Sequence, residues 1–191
     1  TGKQRRFCSD PCRIEWWAAE VTDNYYVDFA STENGWGEAK DTVIPGTVYV
    51  DSDGVRQTTK TDGVISLISE GQAKFKDKNA STEDGTLSFT KAIQMGTIGS
   101  TKAWVIDLSE YDAAAVATIK VYASTSSDNA GRTIILNSSA SKDSPIATSV
   151  PFNAGSTAYL TEWEVAGGAV YYIGSADSSI NYFSIVVEVI S

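Results

Sequence analysis

Apolar and polar residues alternate along most of the chain, and the clearest alternation lies at its end. Between Ile180 and Ile190 one face carries the apolar residues Phe183, Ile185, Val187 and Val189, and the other face carries Tyr182, Ser184 and Glu188. A period of two predicts a strand with one face in a core. Val170–Gly174 predicts a second strand, and the small residues between the two favour a tight turn. We therefore expect a closing hairpin whose last strand lies in the middle of a sheet.

The preceding residues predict a series of short strands with turn signals between them. Their ranges are 24–30, 43–50, 64–68, 73–76, 86–95, 103–108, 118–123, 132–137 and 157–165. The polar stretch 77–85 is predicted to be a loop, and 109–115 offers a single helical turn. Roughly a dozen short strands with turns every 8–12 residues are typical of an all-β sandwich. The predicted fold is an antiparallel, jelly-roll-like β-sandwich.

The first 20 residues differ in pattern from the rest. Asp10 followed by Pro11 is a helix start, with an N-cap and a proline at the first helical position. A short N-terminal helix is predicted from Pro11 to about Glu20. The predicted organisation is an N-terminal extension over residues 1–20, which contains both cysteines, and a β-sandwich domain over residues 24–191.

Composition and charge narrow the function classes. The 191 residues are 42% hydrophobic and 20% charged, with a formal net charge of −9. Nucleic acid and membrane surfaces are unfavourable partners because both attract basic patches. The absence of histidine removes the commonest general base and every Ser-His or Cys-His nucleophile pair. The composition is typical of a secreted, extracellular β protein, and a monomeric module is expected.

Two short motifs raise the question of a metal. RRFCSDPCRIEWW resembles the second half of a small bacterial zinc ribbon of the treble-clef type, which implies zinc at Cys8 and Cys12. Structural zinc takes four Cys or His ligands, and this chain offers two, so a local disulfide or free thiols are the alternatives. The run from Asp51 to Gly54 is similar to the start of a calcium loop, but its later ligands are missing. A hairpin turn with Asp-Gly at its tip explains that run more simply. We assign no cofactor and leave a structural calcium ion open.

Three longer segments resemble a known class of domain. They are FTKAIQMGTIGSTKAWVIDL (89–108), ATIKVYASTSSDNAGRTIIL (117–136) and GGAVYYIGSADSSINYFSIVVEV (167–189). Their order is similar to that in non-catalytic β-sandwich domains attached to secreted bacterial pectate lyases. The resemblance implies a carbohydrate-binding module for plant cell-wall polysaccharide, with pectin as the expected partner.

Sugar-binding modules use cations for carboxylates and aromatic rings for pyranose faces. The candidate cations are Lys91, Lys102, Lys120 and Arg132, which all lie in or beside the family-like segments. Lys120 and Tyr122 share a strand face, and Arg132 is expected across a hairpin from them. Trp36, in a glycine-flanked loop, is the stacking candidate. The alternative is that the lysines are solvated and the aromatic rings are packed, with Trp104 in the core.

The same residues allow a second class of function. A structural or adhesive β-sandwich of a cell-surface protein would leave the four cations scattered, whereas a binding module would gather them in one groove. Catalysis rests only on Glu162 and Glu164, two carboxylates on one predicted strand face. Carboxylates at that spacing usually face solvent, so we do not expect an enzyme, although the chain could be a module of one.

The N-terminal extension is expected to be dispensable for folding of residues 24–191. Deletion of residues 1–20 should lower the thermal midpoint by less than about 5 °C, which corresponds to about 1 kcal/mol or more for a domain of this size. Differential scanning calorimetry of the truncated and full-length chains measures the difference. A larger drop would mean that Trp16 and Trp17 pack on the sandwich.

Overall fold

The computed structural model describes residues 21–126 and 130–191, and every regular element in these ranges is a β-strand. The strands are β1 (Val21–Asp28), β2 (Val43–Ile44), β3 (Thr47–Val50), β4 (Arg56–Gln57), β5 (Ile65–Ile68), β6 (Ala73–Thr82), β7 (Ser88–Met95), β8 (Ala103–Asp107), β9 (Val116–Thr125), β10 (Ile134–Asn137), β11 (Ala147–Thr148), β12 (Thr157–Ala166), β13 (Val170–Ser175) and β14 (Ile180–Ile190). The predicted N-terminal helix lies outside the described residues. These ranges hold no helix long and apolar enough to cross a membrane.

The strands form two sheets, in agreement with the predicted all-β sandwich. The first sheet has the order β1-β14-β7-β6-β12-β9, with β2 paired to β6 and a further pairing between β9 and β14. The second sheet has the order β11-β10-β13-β8-β5-β3-β4. The prediction of a central closing strand is confirmed, because β14 pairs with β9 on one edge and with β7 and then β1 on the other.

Five strands of the first sheet close into a ring. β14 pairs with β7, β7 with β6, β6 with β12, β12 with β9, and β9 again with β14. A second, smaller core lies among them, and each strand contributes to it: Ala80, Phe89, Ala92, Tyr122, Ala158 and Phe183. Phe89 stacks on Phe183 with ring centroids 5.2 Å apart. The ring therefore has its own interior, separate from the core between the sheets.

A β-bulge at Phe183 lets β14 serve both cores. Tyr182 pairs with Ala123 and Ser184 with Tyr122, so Phe183 is an extra residue without a partner on β9. Such a residue reverses the alternation of faces. Tyr182 is consequently in the main core with Ile185, Val187 and Val189, whereas Phe183 is in the ring core. The prediction that Phe183 shares a face with Ile185 is wrong for this reason.

Aromatic rings fill one part of the main core. Trp36 is fully buried and lies 5.3 Å from Phe29 and 6.4 Å from Trp104 between ring centroids. Its indole Nε1 donates a hydrogen bond of 3.0 Å to the carbonyl oxygen of Gly54. The predicted core position of Trp104 is confirmed, since that side chain has no exposed area. The loop that holds Trp36 is thus folded inward over the main core.

Two predicted hairpins are wrong because the chain crosses between the sheets at these points. β13 pairs with β8 and β10 in the second sheet, while β14 is in the first. β9 and β10 are likewise in different sheets. Two smaller differences concern strand bounds. Pro45 and Gly46 divide the predicted strand 43–50 into β2 and β3, and β6 continues through the predicted loop as far as Thr82.

The crossing after β13 can be tested at Gly174. A Cβ at this buried residue would lie 2.6 Å from the Cβ of Ile98, which packs over β13 from the turn before β8. Gly174→Ala should lower the free energy of unfolding by about 1–3 kcal/mol, the usual cost of overpacking. Urea denaturation measures the loss, and Gly99→Ala is the control because a Cβ there meets nothing within 4 Å. Equal stability of the two variants would contradict this packing of β13.

Candidate functional site

An apolar groove opens at the mouth of the ring, between the β6–β7 turn and the faces of β9 and β12. We call it the hairpin groove, and its volume is about 380 Å³. Its lining residues are Thr82, Glu83, Asp84, Thr86, Leu87, Tyr122, Val150, Ala158, Tyr159 and Leu160. The volume is within the ~300–1,000 Å³ that is typical of small-molecule sites.

The polar side of the hairpin groove is the β6–β7 turn, whose conformation is fixed by hydrogen bonds to Asp84. Its Oδ1 accepts hydrogen bonds from the Thr82 hydroxyl at 2.6 Å and from the Thr86 amide at 3.1 Å. The Thr86 hydroxyl donates to the same oxygen at 2.8 Å. Gly85 has a φ of 70°, a conformation that a residue without Cβ adopts readily. The turn is therefore fixed by its own side chains and presents two threonines and two carboxylates to the groove.

The apolar side combines partly exposed rings with exposed aliphatic side chains. Tyr122 packs on Phe89 with ring centroids 5.5 Å apart and pairs in register with Leu160 on β12. Tyr159 stacks on Phe152 at 5.4 Å with an interplanar angle of 7°. Leu160 is 46% exposed and Val150 is 67% exposed. Apolar surface beside hydroxyl and carboxylate groups can hold a pyranose ring, which has apolar C–H faces and polar edges.

Two of the four candidate cations form ion pairs with carboxylates. Lys91 Nζ lies 2.5 Å from Asp77 and donates to the carbonyl oxygen of Glu38 at 3.2 Å. Lys120 Nζ lies 2.6 Å from Glu188, and that hydrogen bond raises the pKa of Lys120. Both side chains are only partly exposed. They contribute to the packing of the first sheet and line neither the hairpin groove nor the pocket described next.

The other two cations approach a common residue, Ser179. Lys102 lines a polar pocket of about 320 Å³ with Gly71, Gln72, Lys74, Gln94, Gly96 and Ser179, which we call the lysine cradle. Arg132 Nη1 donates to the carbonyl oxygen of Ser179 at 2.6 Å and to the Ser126 hydroxyl at 2.7 Å. Arg132 thus supports the loop that carries Ser179, and its guanidinium is engaged there.

The predicted site residues are therefore not gathered on one surface. Tyr122 lies in the hairpin groove, Lys102 in the lysine cradle, and Lys91, Lys120 and Arg132 are bound to neighbouring groups. Trp36 has no exposed area and offers no ring face to a ligand, so the packed alternative holds for it. Glu162 and Glu164 are exposed on β12, where Glu162 pairs in register with Lys120.

The Asp51–Gly54 run forms the expected hairpin turn between β3 and β4. The Asp51 carboxylate accepts from the amides of Asp53 and Val55 and from the side chain of Gln57, at 2.9–3.0 Å. Its oxygens are thus committed to the turn. Within the described ranges no group of three or more His, Cys, Asp or Glu side chains could hold a metal ion. The zinc hypothesis for Cys8 and Cys12 concerns residues outside those ranges.

The hairpin groove contains residues that the sequence analysis did not single out. Leu87, Val150 and Leu160 are large apolar side chains that remain exposed, and Thr82 and Asp84 fall in a stretch predicted to be a plain loop. One signal was available: Leu160 lies at a position of β12 whose alternation with Thr161 and Trp163 places it on the outer face. An apolar residue at a solvent-facing strand position can mark a binding surface.

Comparison with known proteins gives distant structural likenesses only. No protein-family model matches the chain, and no curated protein matches it. Tandem CBM51 modules of a family 98 glycoside hydrolase from Streptococcus pneumoniae are 15% identical, with a TM-score of 0.37 over 57% of this chain and 35% of that one. A CBM51 from Clostridium perfringens GH95, in complex with methyl-galactose, is 11% identical with a TM-score of 0.37, over 84% and 99% of the two chains.

A third structure is a carbohydrate-binding module, CBM6cm-2, of Cellvibrio mixtus lichenase 5A in complex with cellotriose. It is 15% identical with a TM-score of 0.35, over 64% of this chain and 94% of that one. This chain spans only 35% and 38% of the first two structures it matches. Likeness of this degree assigns neither a family nor a ligand to the chain.

The turn of the hairpin groove should depend on pH through Asp84. The hydrogen bonds from the Thr82 hydroxyl and from Thr86 hold the pKa of Asp84 below its ordinary 3.8. A lowered folded-state pKa contributes stability above the ordinary value, which is lost as the pH falls through the folded pKa. The amide signals of Thr86 and Leu87 in ¹⁵N correlation spectra should therefore move together at acid pH, below 3.8. Asp84→Asn should remove that step, and a step that persists in the variant would contradict the assignment.

Proposed function

We propose that this protein is a non-catalytic carbohydrate-binding module that holds a polysaccharide in the hairpin groove. The observation that supports the proposal most is the groove itself, which sets Tyr122, Tyr159 and Leu160 against the hydroxyls of Thr82 and Thr86. Apolar surface contacts the C–H face of a sugar, and the threonine hydroxyls, which donate their protons to Asp84, can accept hydrogen bonds from hydroxyl groups at its edge.

The charge at the rim favours a neutral sugar at this place. Glu83 and Asp84 both line the hairpin groove, and no lysine or arginine is among its described lining residues. A uronate carboxylate there would meet like charge, on a chain whose net charge is already −9. Pectin and other plant cell-wall polysaccharides, which the sequence resemblance implies, are the ligand class proposed, with a neutral pyranose in the groove. A secreted location belongs to the same proposal.

A structural or adhesive β-sandwich is the second candidate function. It is favoured by the placement of Lys91, Lys102, Lys120 and Arg132, which do not share one groove. Such a domain would bind another protein, or nothing, and would not depend on the exposed side chains of the hairpin groove.

Affinity electrophoresis against homogalacturonan, xylan and glucomannan distinguishes the two candidates. At least one of xylan and glucomannan, whose backbones are neutral pyranoses, should retard the folded protein through the hairpin groove. Leu160→Ser and Val150→Ser should weaken that retardation about fivefold or more, because anchoring residues of a binding site each contribute about 1 kcal/mol or more. Val116→Ser is the matched control, since Val116 is a strand residue 37% exposed that does not line the groove.

Two outcomes would remove the proposal. One is that neither xylan nor glucomannan retards a folded sample. The other is equal binding by the Leu160→Ser, Val150→Ser and Val116→Ser variants, which would place any carbohydrate contact elsewhere on the surface.

A further inference from the structure

The lysine cradle has an open point at which two donor groups converge. Gly96 has no side chain, and a Cβ built on it would lie 3.5 Å from Lys102 Nζ and 3.9 Å from Ser179 Oγ. An ammonium and a hydroxyl therefore both border a space that only a glycine leaves empty. An oxygen acceptor placed in that space would be within reach of both groups after small side-chain movements.

Charge in the cradle is not neutralised by neighbouring carboxylates. Five other cationic side chains each pair with an Asp or Glu, namely Arg56, Lys60, Lys76, Lys91 and Lys120. Lys102 and Lys74 have no such ion pair within the part of the chain that the structure describes. Lys74 attracts Asp41 at longer range, but Lys76 binds that carboxylate directly. The lining residues of the cradle include no Asp or Glu in the described ranges.

The walls of the cradle are held in place by hydrogen bonds between two loops. Gly99 and Lys102 exchange both backbone hydrogen bonds at 3.0 Å, which fixes the turn before Lys102. Thr97 Oγ1 donates to the carbonyl oxygen of Asp177 at 2.8 Å and so ties this turn to the loop between β13 and β14. Arg132 holds the Ser179 carbonyl from the other side. The backbone segments from which Lys102 and Ser179 extend are therefore fixed before binding, which limits the conformational entropy lost when a ligand binds.

Two amide side chains give the cradle a preference among anions. Gln94 Nε2 donates to Asn181 Oδ1 at 3.4 Å, and Gln94 also lines the cradle with an amide group that can donate and accept. Gln72 adds a second amide with both donor and acceptor. Inorganic sulfate or phosphate at neutral pH offers mainly acceptors, whereas a sugar acid offers a carboxylate together with hydroxyl donors. The mixture of ammonium, hydroxyl and amide groups matches the sugar acid.

We propose that the lysine cradle binds the carboxylate of a uronic acid residue, at a site separate from the hairpin groove. The carboxylate would lie over Gly96 between Lys102 Nζ and Ser179 Oγ, with Lys74 as the second positive charge. The ring hydroxyls would face Gln72 and Gln94. No residue lines both the cradle and the hairpin groove. The inference that the anion is carried by a sugar rests on the proposed function, but the site can be tested independently of it.

Filling the space over Gly96 is the sharpest test. Gly96 does not have a positive φ, and its Cβ would make ordinary contacts of 3.5 and 3.9 Å, so Gly96→Ala should fold normally. We expect galacturonic acid to bind the native chain, measured by ¹⁵N chemical-shift titration of the loops around Gly96. The variant should bind it on the order of tenfold more weakly. Gly99→Ala, in the same turn but in open space, should bind as the native chain does.

The charge of the cradle is tested by lysine variants and by the choice of probe. Lys102→Ala and Lys74→Ala should each weaken galacturonic acid binding about tenfold, whereas Lys142→Ala, at an exposed residue that lines neither site, should not. Galactose, which lacks the carboxylate, should not bind the cradle. Added salt should weaken binding of the acid because the site is partly open to solvent.

Several results would overturn the proposal. They are binding of galacturonic acid by Gly96→Ala as tight as by the native chain, equal binding of galactose, and equal binding of inorganic sulfate, which would indicate an unspecific anion site. The two sites can fail separately. Loss of the cradle should leave retardation by a neutral polysaccharide unchanged, and Leu160→Ser should leave galacturonic acid binding unchanged.

Discussion

The last strand, β14, needs hydrogen-bonding partners along both of its edges, and the rest of the structure depends on which strands supply them. β9 follows β14 along its whole length, while β7 takes the first part of the other edge and β1 the remainder. Buried strand edges cannot be left without partners, because unpaired amide and carbonyl groups are costly away from water. Sharing one edge between β7 and β1 brings β7 and β6 round toward β12 and closes the ring. The extra residue at Phe183 then gives the ring its own aromatic interior.

The sequence was a good guide to the strands and a poor guide to their partners. Alternation identified strands such as β12, which have one face in a core and one toward solvent, whereas β8 and β10 are buried on both faces. It could not show the bulge at Phe183, because one inserted residue changes every later face without a local signal. The hairpins expected at β9–β10 and β13–β14 followed from the usual preference of consecutive strands to be neighbours. Here the turns instead connect strands of opposite sheets, because packing between residues far apart in sequence determines which strands pair.

The candidate sites illustrate a similar limit. Tyr122 and Lys102 were identified from the sequence, and each lies in a pocket, but the pockets are different. Lys91 and Lys120 looked equivalent to Lys102, yet each forms an ion pair with a carboxylate on the adjacent strand. Trp36 was predicted to stack on a sugar because it lies in a glycine-flanked loop. Its burial against Phe29 depends on contacts that no local pattern shows. In an acidic chain, a lysine or arginine without an ion pair is better evidence for an anion-binding site than a lysine or arginine identified from sequence alone.

The join between β6 and β12 gives the ring a weak point. These two strands meet in parallel over only two residue pairs, Ser81 with Thr157 and Thr82 with Ala158, whereas β9 pairs with β12 over eight. Local opening of a protein occurs where few contacts resist it, so amides at this join should exchange with solvent sooner than those of β9. The hairpin groove lies directly over the join, with Thr82 on one side and Tyr159 on the other. A ligand that contacts both sides would hold the two strands together. Its residence time would then depend on how often the ring opens at this join.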